Sequence, residues 1–77
     1  MKKFKVEVMP REEALDPQGR AVKGALDRLG FKTGNCRVGK MILLEIPADQ
    51  ATLKNVEAMA STILANPLIE TYKITEV

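Results

Sequence analysis

The stretch that most constrains this chain is Arg37-Val38-Gly39-Lys40-Met41-Ile42-Leu43-Leu44-Glu45-Ile46, near the middle of 77 residues and flanked by helical patterns on both sides. If extended, it puts Val38, Ile42, Leu44 and Ile46 on one face and Met41 and Leu43 on the other, because side chains alternate along a strand. A half-solvated strand is apolar on one face only, so this one asks for cover on both. The two helices of so short a chain can cover one face. The second cover is expected from another copy, with Met41 and Leu43 as the homodimer seam.

Length sharpens that demand. Unbroken from Asn35 to Ile46, the strand would reach roughly 40 Å, whereas the preceding helix spans only about 21 Å. Either the strand runs on, kinked at Gly39, and pairs with a partner chain, or Gly39-Lys40 is a two-residue hairpin turn in a ferredoxin-like βαββαβ arrangement. The first is favoured, because Gly-Lys is a weaker hairpin signal than Asn-Gly.

The rest of the chain supplies two more strands and two helices. Lys3 to Met9 alternates, with Phe4, Val6 and Val8 on one face and Lys3, Lys5 and Glu7 on the other, and Pro10 ends the run. Asp16 is placed to cap a helix that has Pro17 at its first position. Ala21, Val22, Ala25, Leu26 and Leu29 then recur at helical spacing, and Gly30 supplies the stop, with Phe31 as its apolar contact. Gly19 in the first turn either admits a close neighbour or is simply tolerated there. Past Pro47, Asp49 is expected to cap a second helix with the stripe Leu53, Val56, Ala60, Ile63 and Leu64, flanked by Met59 and halted at Asn66-Pro67. Leu68 to Val77 reads as the last strand, with Tyr72 and Ile74 on one face. The expectation is a single α+β domain over residues 1–77, ordered β-α-β-α-β, with two helices on one face of a small sheet and a long central strand shared across a dimer.

Composition narrows the function. A chain of this size buries only about 60–65% of its unfolded surface and needs a disulfide, a metal or oligomerisation to be stable. Cys36 is the only cysteine and there is no histidine, so oligomerisation is the remedy left. Twelve basic and ten acidic residues are interspersed, and three aromatics, Phe4, Phe31 and Tyr72, do not make a nucleic-acid stacking surface. No segment is long and apolar enough for a membrane, and a cytoplasmic location is expected. Without histidine there is no Ser-His or Cys-His pair. Cys36, inside the strand pattern, reads as a small core residue, and Gly34 and Gly39 stand alone without phosphate-loop spacing. The polar residues beside turns, Arg11, Asp16, Gln18, Arg37 and Lys40, are the candidates that remain, and Arg37 and Lys40 could present a positive spot to a carboxylate or phosphate.

The same residues carry a resemblance. The opening strand, Leu15-Asp16-Pro17-Gln18-Gly19 with Ala21-Val22 and Ala25-Leu26, the Arg37-Val38-Gly39-Lys40 segment leading to Glu45-Ile46, and Leu64-Ala65-Asn66-Pro67-Leu68-Ile69-Glu70 with Tyr72 together resemble the small S subunit of phosphoribosylformylglycinamidine synthase, the PurS family. The resemblance implies a non-catalytic subunit of a ligase complex in purine biosynthesis. In that complex a glutaminase subunit releases ammonia, and a large synthetase subunit, expected to hold ATP and Mg, transfers it to formylglycinamide ribonucleotide. The small subunit, a dimer or tetramer, would bridge the two and assist ammonia transfer, binding no cofactor and having no active site of its own. Arg11, Asp16, Gln18, Arg37 and Lys40 would then serve inter-subunit contacts. Two other readings stay open at this point: a ferredoxin-like regulatory module that binds a small molecule, and a small autonomous enzyme such as a phosphohydrolase.

Overall fold

The alternation of Phe4, Val6 and Val8 with charged neighbours makes a strand with one face to bury. In the computed structural model, which describes all 77 residues, it is the middle strand β1 (Lys2–Pro10) of an antiparallel sheet. β2 (Lys40–Ile46) and β3 (Glu70–Glu76) flank it in the order β2-β1-β3. Ile42 lies opposite Val6 and Leu44 opposite Phe4. On the other side Ile74 lies opposite Val6 and Tyr72 opposite Val8. One face thus gathers Phe4, Val6 and Val8 with Ile42 and Leu44 on one side and Tyr72 and Ile74 on the other. Helix α2 (Leu53–Met59), prolonged by a π-helical turn Ala60–Leu64, lies on it. The core is Phe4, Val6, Val8, Ile46, Ala51, Val56, Ala60 and Ala65, with Ile42, Leu44, Met59, Leu64 and Ile74 partly buried around it.

The first helix, α1 (Pro17–Arg28), starts and stops as its sequence predicts. Asp16 Oδ1 accepts the Gly19 amide at 2.9 Å. At the far end Gly30 takes φ +94°. The Phe31 amide donates to the Leu26 carbonyl and the Gly30 amide to the Asp27 carbonyl, the paired bonds of a Schellman stop. The Phe31 ring itself is exposed.

The class and element order are the expected ones, and the structure amends five details. The second helix is capped by Thr52, whose hydroxyl accepts the Asn55 amide at 3.2 Å, and not by Asp49. A turn closed by the Gln50 amide on the Pro47 carbonyl takes up Asp49 first. The stripe of that helix changes phase at the π turn, where the Ala65 amide reaches back five residues to the Ala60 carbonyl. One extra residue in the turn swings Ile63 out to 79% exposure and brings Ala65 into the core. β3 begins at Glu70 because Leu68 and Ile69 belong to a turn in which the Asn66 side chain accepts the Leu68 amide.

The other two concern the centre of the chain. β2 begins at Lys40, and Asn35–Gly39, Cys36 included, pairs with no strand of its own chain. That segment runs instead antiparallel along α1: Thr33 meets Lys23, Cys36 meets Gly19, and Val38 meets Asp16. Carried away in this way, α1 contributes nothing to the core, so only α2 covers the sheet within one chain. Val22 and Leu29 on its apolar stripe are exposed. The molecule measures 51 × 24 × 14 Å with a radius of gyration of 15.6 Å, well above the ~11.5 Å of a compact chain this long.

The π turn yields a test. Val56→Ala removes two fully buried methyl groups and should cost about 2 kcal/mol in chemical denaturation, whereas Ile63→Ala should change stability by less than about 0.5 kcal/mol. A comparable loss at both positions would mean a regular α-helix through Leu64.

Candidate functional site

The end of the sheet where β1 stops gathers most of the candidate residues. Pro10 ends the strand, the loop of residues 11–16 turns into α1, and Arg37-Val38-Gly39 returns between them to β2. Gly39 is needed here for space: a Cβ would collide with the Val8 carbonyl and the Met9 sulfur. Gly19 is equally confined, since a Cβ there would strike the Cys36 carbonyl and the Asp16 carboxylate. Its bare backbone admits a neighbour, and that neighbour is the return segment.

Asp16 joins the two segments of this junction. Its Oδ1 accepts from Gly19 and its Oδ2 accepts the Val38 amide at 2.9 Å, so one carboxylate caps α1 and anchors the approach to β2. The Gly19 and Val38 amides hold its pKa below the ordinary aspartate value; the nearby Arg37 guanidinium adds to this and partial burial opposes it. Arg37 is half-buried, and its Nη2 is buried without a hydrogen-bond partner.

The other candidates divide. Arg11 is committed within the chain: Nε and Nη2 both donate to the Pro67 carbonyl, at 3.2 and 3.0 Å, and its amide donates to the Ile69 carbonyl. It bolts the start of the loop to the turn before β3. Gln18 is exposed beside a shallow cleft shared with Pro10, Val38 and Ile69. Lys40, also exposed, faces away from this group onto another cleft lined by Thr62, Asn66 and Glu70. The structure therefore brings Asp16, Gln18 and Arg37 around one junction, gives Arg11 a bracing role beside it, and separates Lys40. Met41 and Leu43 stand on the face of the sheet that α2 leaves open, 58% and 67% exposed, opposite Glu7 and Lys5.

Reading the sequence alone misses Arg20, which lines a cleft with Arg37, Lys23 and Glu12. It also misses the Asn66 turn, where Glu70 Oε1 accepts the Asn66 amide at 2.7 Å. Asn-Pro is a recognisable turn signal. Arg20 has none, because its significance comes only from the returning segment. Chemically the junction offers hydrogen-bond donors and positive charge, arrangements that bind and hold.

Comparison with known proteins decides the family. The family described as phosphoribosylformylglycinamidine (FGAM) synthase, PurS, matches residues 3–77. The chain belongs to the PurS family. Among its relatives is the phosphoribosylformylglycinamidine synthase subunit PurS of Mycobacterium leprae, 47% identical over 72 residues, covering 91% of this chain and 89% of the relative. The structure of Bacillus subtilis PurS superposes with a TM-score of 0.90 at 37% identity, over 100% of this chain and 99% of that one. A chain in the structure of PurLQS from Thermotoga maritima gives 0.81 at 28% identity, over 99% and 96%.

Asp16 sets a pH-dependent test. Its depressed folded pKa means that its contribution to stability is fully present above the unfolded aspartate value and is lost as pH falls through the folded one. Asp16→Asn can accept one of the two amides but turns an NH2 group toward the other. It should lower Tm at pH 7, and the gap to the native chain should narrow below about pH 4. A gap that persists unchanged to pH 2 would remove the carboxylate from this role. Gly19→Ala, which forces the return segment off α1, should destabilise by about 1–3 kcal/mol.

Proposed function

We propose that this PurS chain is the small non-catalytic subunit of a phosphoribosylformylglycinamidine synthase in purine biosynthesis, bridging the glutaminase and synthetase subunits and helping ammonia pass between them. The observation that carries the reading is how little of its apolar surface the chain covers by itself. Nine of 77 residues are buried, while Leu15, Val22, Leu29, Phe31, Met41, Leu43, Ile63 and Leu68 are all exposed. Apolar surface on this scale, in a body far from compact, marks protein–protein contact. The likeness to a chain of the Thermotoga maritima PurLQS structure supports the same assembly here. Ammonia in transit must be kept from bulk water, which would protonate it, so a bridging subunit needs fitted apolar surfaces and has little use for reacting groups.

The chain's own association fits the same surface. β2 is an edge strand, so its outer backbone groups are free to pair. Met41 and Leu43 lie on its open face, and the unpaired Asn35–Gly39 segment extends it. The reading takes this edge as the homo-oligomer seam, and the exposed Gln18 and Lys40 with the half-buried Arg37 as contacts to the larger subunits. ATP and Mg belong to the large subunit on this reading, and the complex works in the cytoplasm. No helix here is long and apolar enough to cross a membrane.

Two measurements test this. Met41→Glu with Leu43→Glu should give a monomer in sedimentation, and a dimer that survives both changes would remove the seam. Gln18→Ala and Lys40→Ala lose no bond within the chain, so circular dichroism should be unchanged while co-purification with the glutaminase and synthetase subunits and glutamine-dependent turnover fall. Arg11→Ala and Asp16→Ala are poor probes of assembly, since both also release internal bonds.

A further inference from the structure

The free edge of β2 is longer than β2 itself. The Arg11 amide donates to the Ile69 carbonyl at 2.8 Å and the Val77 amide to the Lys3 carbonyl at 2.9 Å, so the odd-numbered residues of β1 turn their backbone groups to β3. Successive residues of a strand point those groups to opposite edges. Phe4, Val6 and Val8 therefore bond to β2 through their partners Leu44, Ile42 and Lys40, and the backbone groups of Met41, Leu43 and Glu45 point outward. The same alternation continues ahead of Lys40. Val38 turns its amide to Asp16, and the Cys36 carbonyl lies against Gly19, both on the α1 side. Asn35, Arg37 and Gly39 form no backbone hydrogen bond within the chain. Unpaired groups thus line one edge from Asn35 to Glu45, roughly 35 Å long, and such an edge invites pairing.

α1 travels with that edge. Gln18 shares its cleft with Pro10, Val38 and Glu70, on the α2 side of the sheet, since Pro10 continues the face of Val6 and Val8 and Glu70 lies opposite it. Arg20 shares a cleft with Asn35 and Arg37 on the other side. At about 100° per residue, Val22, Leu26 and Leu29 follow Gln18 round the helix. The apolar stripe of α1 thus faces the layer of α2, and its own chain offers it no core.

We propose that a second copy of the chain pairs with this edge in one register. Residues 35–45 of each copy run antiparallel about a twofold axis at Lys40, so that Asn35–Gly39 becomes the fourth strand of the other copy's sheet and α1 lies beside the other copy's α2. Only that axis engages every unpaired group, setting Asn35 across from Glu45, Arg37 from Leu43 and Gly39 from Met41. On the inner face it sets Val38 against Ile42 and Cys36 against Leu44, apolar on apolar, and it covers Ile42 and Leu44, which are only partly buried in the single chain. A strand edge about 10 Å thick and a helix face of about 18 by 10 Å from each copy come to roughly 1,400 Å² in all, within the ~1,200–2,000 Å² of a stable interface. The edge without the helix would fall short. Lys40 faces its counterpart across the axis, and Glu70 in the same open cleft is the carboxylate that tempers the repulsion. The inference rests on the homo-oligomer seam proposed above and adds its register, the fourth strand and the exchanged helix.

The test uses the full chain, with sedimentation to set the concentrations of dimer and monomer. Hydrogen exchange followed by NMR should slow the Asn35, Arg37 and Gly39 amides at least about tenfold in the dimer relative to the monomer. Lys40→Cys in a Cys36→Ala chain should give a disulfide-linked dimer on mild oxidation, because directly opposed residues hold their Cβ atoms about 4.5–5.5 Å apart, a small shift from disulfide geometry. Met41→Cys in the same chain should not. Leu29 is exposed, so Leu29→Glu keeps the single chain folded, yet it should raise the dimer dissociation constant about tenfold or more, the share of one buried leucine. A dimer whose Asn35, Arg37 and Gly39 amides exchange as in the monomer, or one indifferent to Leu29→Glu, overturns the exchange while the seam at Met41 and Leu43 stands. Cross-linking through Met41→Cys in place of Lys40→Cys overturns the register. A chain that stays monomeric overturns this inference and the seam together.

Discussion

The hydrophobic core of this molecule is organised on the inner face of β1. Phe4, Val6 and Val8 take β2 on one side, β3 on the other and α2 across the top. Eight core residues, three of them alanines, supply the hydrophobic drive for the whole chain. So small a core leaves little margin over the conformational entropy of 77 residues. The remaining apolar surface is then as important as the core, because covering it in an assembly adds the stabilisation that the single chain lacks.

The lobe formed by α1 and the return segment obeys a different physics. Polar bonds and backbone proximity hold it: the two-sided Asp16 carboxylate, Lys23 on Thr33, and Gly19 against the Cys36 carbonyl. None of these buries much apolar area, so the apolar stripe of α1 stays free for partners. The same packing places Arg37 against Asp16 and closes the cleft that Arg20 completes. Structure and candidate site therefore share one junction, which is why Asp16 and Arg11 brace the fold while their neighbours stay available.

Local signals read best where the determinant is local. The alternation of β1, the Asp16-Pro17 start of α1 and its Gly30 stop depend on neighbours within a few residues, and each lies where its pattern points. Asp49 misled because Thr52, three residues on, is an equally good cap, and the Pro47–Gln50 turn chose between them. Ile63 misled because a π turn adds a residue to the helical period and leaves no mark in composition. Among the candidate site residues, Gln18 and Lys40 are as free as their positions by turns suggested. Arg11 looked equally free until the turn at Pro67, far off in sequence, claimed it.

What the chain's order of residues determined alone is the class, the succession of elements and the surplus of apolar positions in the middle strand. All three follow from side-chain periodicity and from the backbone needs of glycine, proline and capping residues, which operate over one or two turns. Tertiary structure alone decided that β1 sits in the centre, that Asn35–Gly39 lies along α1 instead of in the sheet, and that one nitrogen of Arg37 is buried without a partner. Those outcomes rest on contacts between residues some twenty to seventy positions apart, such as Asp16 with Val38 and Phe4 with Glu76. No local pattern encodes them, because each depends on which of several possible surfaces meets first and buries most.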